Sequence, residues 1–294
     1  QLSVNKTVRI SSPFTNSVIH IKCNDNSGYL LLNNDKSFKL AKGSNLFAIN
    51  TYIYDKIDVC DLNGEYTVNE FQKYKIDNKK VNVLLCSDSN YFVGLFAALN
   101  SVIENTHYID STHFNFMIPI EQKNRFSNMM IEFENKVGQH LDKTIIYLDH
   151  HILNASLFET KCYTGGGHLL NLGNLSRLLI GEFMEYEKLI YLDSDSIVQF
   201  DIIEKIKLAT FEFDLYADCA DKHHTDNTKQ IVIRMSSILK QCNWEKIIGY
   251  EINMNDFAYM GAPFITNCKK WNDVYSSIIK IIKAHNDTKD GIYK

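Results

Sequence analysis

Asp193 and Asp195 stand two residues apart, directly after the apolar run Leu189-Ile190-Tyr191-Leu192. If the segment continues in extended form, both side chains point to one side, because side-chain direction alternates with period two. Two like charges so placed are unfavourable unless they share a proton or bind a cation, and carboxylate oxygens suit hard divalent ions such as Mn²⁺ or Mg²⁺. An ion held by only two carboxylates keeps open positions that fit a diphosphate, whose leaving-group charge it neutralises as a Lewis acid. A second polar group, Asp88-Ser89-Asn90, follows another apolar run, Val81 to Cys86. An Asp-x-Asp in a polar loop is commonly a solvated turn; an apolar strand running straight into the pair favours chemistry.

The elements that must position these groups are legible as a pattern. From Val81 onward, short apolar runs alternate with segments of helical spacing, which predicts an α/β fold with a mostly parallel sheet flanked by helices. Strands are expected at Val81 to Cys86, Phe114 to Ile118, Thr144 to Leu148, Leu189 to Leu192, Asp214 to Ala217 and Ala262 to Ile265. Helices are expected at Phe92 to Val102, Phe126 to Val137, through Leu172, Leu175, Leu179 and Phe183, and at Trp271 to Ala284. In open α/β sheets ligands bind outside the carboxyl ends of the strands, where both polar groups fall. Residues 1–78 read instead as a small β-rich module, with alternation at Ile19 to Cys23 and a turn at Asp25 to Gly28. The polar stretch Asp77-Asn78-Lys79-Lys80 marks a junction, and residues 79–294 form the main domain.

With 294 residues, 45% of them hydrophobic, the chain can bury a full core. A formal charge of -4, with Lys and Arg scattered singly, argues against nucleic acid as a partner. No apolar run reaches the roughly 18 to 20 residues that span a bilayer. The first residue is Gln1, so the sequence leaves open whether a leader or anchor precedes it. Seven widely spaced cysteines without a Cys-x-x-Cys pair disfavour a zinc ribbon or a disulfide framework. Sequons at Asn5, Asn154, Asn174 and Asn286 are what an Asn-rich chain yields by chance, so localisation stays open, with the cytoplasm favoured over a secretory lumen.

Three segments in order resemble glycosyltransferase family 8 of the GT-A, Rossmann-like nucleotide-sugar enzymes, the family of glycogenin and of bacterial lipopolysaccharide galactosyltransferases. They are VNVLLCSDSNYFVGLFAALNSVIENT, NLSRLLIGEFMEYEKLIYLDSDSIV and FAYMGAPFITNCKKW, and the likeness runs from about 81 to 272. It implies a metal-dependent transferase moving a hexose, glucose or galactose, from a UDP-sugar to a hydroxyl of a glycan or protein, with retention of configuration. Carried over by position, it implies Asp88, Asn90 and Tyr91 on the uracil and ribose, Ser194 on the ribose, and Arg177 on the donor phosphates or sugar. It further implies Asp193 and Asp195 on Mn²⁺ or Mg²⁺, Asp221 facing the sugars, and a homodimer by analogy. A blander account makes Arg177 a surface cation paired with Glu182 or Glu185.

The sequence also departs from that family. Met260 replaces a sugar-contacting Asn, and the Asp-Gln-Asp segment, His and Lys that normally follow Trp271 are not found before Lys294. A piece of a longer enzyme, a divergent relative and a chain that has lost activity all stay open. His285 is a lone candidate for a third metal ligand. The rival functions are a degenerate nucleotide-sugar or carbohydrate-binding module and a haloacid-dehalogenase-type phosphatase, for which Asp218 and Asp221 come too early to supply the second acidic pair. A calcium loop fails because Ile197 and Val198 occupy positions that require a ligand and a glycine. A zinc site from His150, His151, His223 and His224 is disfavoured because adjacent histidines on a strand point to opposite faces.

Overall fold

The computed structural model describes residues 6–76, 78–152, 173, 176–208, 215–219, 246, 249, 251, 259–271, 277 and 280. In chain order the strands are β1 Thr7–Arg9, β2 Asn16–Cys23, β3 Tyr29–Leu32, β4 Lys36–Lys39, β5 Gly43–Asn50, β6 Ile57–Cys60 and β7 Gly64–Glu70. They continue with β8 Val81–Cys86, β9 Thr112–Pro119, β10 Lys143–Leu148, β11 Leu189–Leu192, β12 Leu215–Cys219 and β13 Tyr259–Thr266. Among the described residues the longer helices are α1, Phe92–Asn105, and α2, Lys123–Val137; shorter ones span Ile180–Phe183 and Ile202–Leu208.

Among the described residues, the central sheet has the order β12-β13-β11-β8-β9-β10-β5-β2-β7. The run β11-β8-β9-β10-β5 is parallel, and the pairs outside it are antiparallel. This is the mixed α/β, mostly parallel sheet expected from the alternation of strands and helices. Strand β8 shows why: apart from its first residue it is buried throughout, as a parallel strand covered on both faces must be. Val83 and Leu85 enter one core with Phe92, Phe96, Phe116 and Phe126, while Leu84 and Cys86 enter another with Phe183, Tyr191 and Phe264. Helix α1 buries Phe92, Leu95, Phe96, Leu99 and Val102, a stripe at helical spacing. Phe126 of α2 meets Phe92, Phe96 and Phe116 at centroid distances of 5.2, 5.7 and 5.5 Å, which locks both helices over the same sheet face.

The first seventy residues are β-rich, as their alternation predicts. Four of their strands form a separate antiparallel sheet in the order β1-β6-β3-β4. The other three extend the central sheet: β5 lies parallel on β10 with Ile146 opposite Leu46, and β2 pairs antiparallel between β5 and β7. The helix expected through Leu172 and Phe183 is, where described, a 3₁₀ turn at Ser176–Leu179 followed by Ile180–Phe183. Of the helix expected from Trp271, only Trp271, Ser277 and Lys280 are described, and they are helical.

Candidate functional site

Strands β8, β9 and β10 run away from β11 in chain order, so the sheet reverses direction of growth between β8 and β11. At such a switch point the loops leaving two adjacent parallel strands diverge and open a crevice at their carboxyl ends. Leu192 pairs with Leu85, which brings the exits of the two strands side by side. Asp88 leaves one strand and Asp193 the other.

Asp88 is buried, and its Oδ1 accepts the Asn90 N–H at 2.8 Å, while its carbonyl accepts the Tyr91 N–H at 3.1 Å. These bonds make a tight turn that delivers the chain into α1. Asn90 and Tyr91 are left exposed at the rim. Gly173 backs this turn: a Cβ on it would lie 2.7 Å from the Asp88 nitrogen and 2.9 Å from the Asp88 Cβ.

On the other side of the crevice, Arg177 Nη2 forms an ion pair with Asp193 Oδ1 at 3.1 Å, and the Tyr191 hydroxyl donates to the same oxygen at 2.6 Å. The guanidinium carbon stands 4.7 Å from the Tyr191 ring centre, so the tyrosine both supports the cation and anchors the anion. Burial pushes the Tyr191 phenol well up, which keeps it a donor. Its ring stacks on Phe264 at 4.9 Å, Phe264 stacks on Trp271 at 5.1 Å, and Trp271 Nε1 donates to the Leu178 carbonyl at 3.1 Å. The aromatic column thus returns to the residue next to Arg177. Among the described residues Arg177 forms an ion pair with Asp193, where the blander reading placed Glu182 or Glu185.

The extended continuation expected for residues 193–195 is not what forms. The strand stops at Leu192, and the Asp193 carbonyl accepts the Ser196 N–H at 3.1 Å, which folds the Asp-Ser-Asp segment into a turn. Asp193 points back to Arg177 and Tyr191, whereas Asp195 is exposed. The turn rests on α1 where the helix has no side chain: a Cβ on Gly94 would lie 2.5 Å from the Ser194 carbonyl oxygen. Further along, Ser101 Oγ accepts the Val198 N–H at 2.9 Å and Asn105 Nδ2 donates to the Val198 carbonyl at 3.0 Å. Gly94 and Gly173 were not among the residues singled out from the sequence; a glycine inside an apolar helical stripe, as in Phe92 to Phe96, is the signal that marks one of them.

The donor set suits the ion that the sequence resemblance implies. Asp193 Oδ2 and both oxygens of Asp195 carry no hydrogen bond among the described residues, so hard carboxylate lone pairs remain for Mn²⁺ or Mg²⁺. Asp221, His223, His224 and His285 lie outside the described residues, as do the side chains of Tyr259 to Ala262. His150 and His151, expected on opposite faces of a strand, lie beyond the end of β10 at Leu148, and their rings stand 3.7 Å apart.

Residues 82–246, more than half of the chain, match the family model described as glycosyl transferase family 8. The chain belongs to glycosyltransferase family 8. No curated protein matches it. Among solved structures it is similar to the galactosyltransferase LgtC in complex with donor and acceptor sugar analogs, at 17% identity and a TM-score of 0.45, over 65% of this chain and 59% of that one. It is also similar to the glycosyltransferase GlyE of Streptococcus pneumoniae, at 17% identity and a TM-score of 0.39, over 73% and 42%. Mouse xyloside xylosyltransferase 1 follows at 11% identity and a TM-score of 0.40, over 72% and 76%. This family 8 chain therefore spans 59% of the length of the LgtC chain. The family 8 match contains the switch-point residues Asp88, Arg177, Asp193 and Asp195.

Proposed function

We propose that the protein transfers a hexose, glucose or galactose, from a UDP-sugar to a hydroxyl of a glycan or protein, with retention of configuration. The observation that carries this reading is the Arg177–Asp193 pair, braced by Tyr191, at the switch point beside the Asp88 turn. Asp88, Asn90 and Tyr91 bind the uracil and ribose, Ser194 the ribose, and Asp221 faces the sugars. Asp193 and Asp195 would hold Mn²⁺ or Mg²⁺, which supplies Lewis-acid stabilisation of the departing diphosphate. Arg177 adds fixed positive charge at the same place. Such preorganised charge, rather than a strong base, lowers the barrier for loss of a diphosphate.

Calorimetry with UDP and Mn²⁺ tests the assignment. Replacing Asp193 and Asp195 together by Asn should abolish metal-dependent UDP binding while thermal unfolding stays near that of the wild type. Unchanged UDP affinity in the double variant sinks the metal assignment. Hydrolysis of radiolabelled UDP-hexose then tests turnover, and UDP binding without turnover would point to a degenerate binding module.

A further inference from the structure

A second cluster stands at the same carboxyl edge of the sheet, outside the switch point. Asp149, His150 and His151 follow β10, and Glu121 follows β9. One ligating atom from each of Asp149, His150 and His151 lies within 4.8 Å of the other two. His150 Nδ1 is 3.6 Å from Asp149 Oδ1 and 3.1 Å from Glu121 Oε1. The Asn50 side chain, at the end of β5, donates to the His151 carbonyl at 3.1 Å, so three strand exits meet here.

Two observations at this cluster call for a cation. Asp149 is fully buried; its hydrogen bonds come from the Asn50 and His151 N–H groups, both at 3.2 Å, and its ion-pair partner among the described residues is His150. A buried carboxylate with so little compensation is costly unless it takes a proton or a metal. Independently, the Tyr54 hydroxyl is buried, with 9% of the residue exposed, and has no hydrogen-bond partner. It lies against Asp149, the buried member of the cluster.

We propose that Asp149, His150 and His151 bind a transition-metal ion, Zn²⁺ first among them, at a site separate from the Asp193 and Asp195 pair. Two imidazoles with one carboxylate favour a borderline ion over Mg²⁺ or Mn²⁺, which prefer all-oxygen sets. Bonds of about 2.0–2.1 Å in tetrahedral geometry put ligand atoms roughly 3.4 Å apart, so binding an ion requires the two partly exposed histidines to rotate inward from the observed 4.8 Å spread. Glu121 Oε1 stands 3.1 Å from His150 Nδ1 and so orients that ring through Nδ1, which leaves Nε2 as the nitrogen for the ion. A bound ion would clasp the exits of β5, β9 and β10 together, and it uses none of the residues assigned to the donor.

Bound zinc, counted by mass spectrometry on the full chain after chelator treatment and dialysis against micromolar ZnCl₂, tests the site. One zinc per chain is expected in the wild type and in the Asp193→Asn/Asp195→Asn variant. Zinc affinity should fall by about 100-fold or more in His150→Gln and, separately, in His151→Gln, with far-UV circular dichroism unchanged. Failure of the wild type to retain zinc overturns the proposal. So does equal retention by both histidine variants.

Discussion

Arg177 and Asp193 meet at 3.1 Å across the Tyr191 ring, whose hydroxyl holds the same carboxylate oxygen at 2.6 Å. The cation, the anion and the aromatic plate form one unit, and a lysine cannot reproduce it, because an ammonium neither stacks flat nor forks. Arg177→Lys should lower kcat/KM for a UDP-hexose by roughly 10- to 100-fold, about 1.4–2.7 kcal/mol of transition-state stabilisation, with little change in melting temperature. Wild-type kinetics in that variant would remove Arg177 from the donor site.

Trp271 supports Arg177 from behind through its bond to the Leu178 carbonyl. Trp271→Phe keeps a ring against Phe264 but leaves a buried carbonyl without its donor, at a cost of about 1–3 kcal/mol. Because the lost bond lies next to Arg177, KM for the donor should rise as well. A melting shift with unaltered KM would confine the tryptophan to a packing role.

Gly94→Ala pits two effects against each other. Alanine gains up to about 1 kcal/mol in a helix, but its Cβ would stand 2.5 Å from a backbone oxygen of the Asp-Ser-Asp turn, which cannot swing away as a side chain would. The clash wins, so lower stability and weaker metal-dependent UDP binding are expected together. Gly173→Ala should do the same to the Asp88 turn. Differential scanning fluorimetry with and without UDP and Mn²⁺ reads both effects.

Lys123 gives the fold a pH signature. Its side chain is buried, its ammonium donates to the Lys39 carbonyl and stands 4.9 Å from the Tyr147 ring centre, and burial pulls its pKa down from 10.5 to about 8. Between those values the unfolded chain holds more proton than the native one, so this residue's contribution to stability rises as pH climbs from about 8 to 10.5; below 8 its cost is felt in full. Removing the charge in Lys123→Met gains roughly 3 kcal/mol near pH 7, offset by about 1–2 kcal/mol for the abandoned Lys39 carbonyl. The variant should melt higher than wild type at pH 7, and the gap should narrow toward pH 10. Comparing the two chains cancels the titrations of groups that do not sense Lys123; Cys23, which does, is removed from the comparison by measuring both in a Cys23→Ala background. A gap constant with pH would contradict the shifted lysine.

The local part of this structure could be read from the chain because burial dictates it. Val81–Cys86 and Leu189–Leu192 form strands at the expected limits, since each is too uniformly apolar to be placed anywhere but a two-faced core. Helices α1 and α2 extend the expected segments by a few residues, as fraying ends usually do. What period two cannot say is which edge a strand joins, and so the docking of β5 on β10 was not legible. The turn at Asp193 is hidden for a related reason: alternation in the sequence does not reveal where ladder hydrogen bonds stop. Gly94 and Gly173 act through approaches between segments far apart in the chain, and His150 and His151 escape the strand rule only because β10 ends two residues earlier.

The parallel seam between β5 and β10 bears on any attempt to trim the protein. A chain cut to begin at residue 79 would strip β5, β2 and β7 from the sheet and leave β10 as a bare edge, its ladder groups unpaired. Bare, long, apolar edges recruit strands from other molecules. Such a shortened chain would be expected to associate with its own copies rather than remain dispersed, even though every residue of the switch-point crevice is still present.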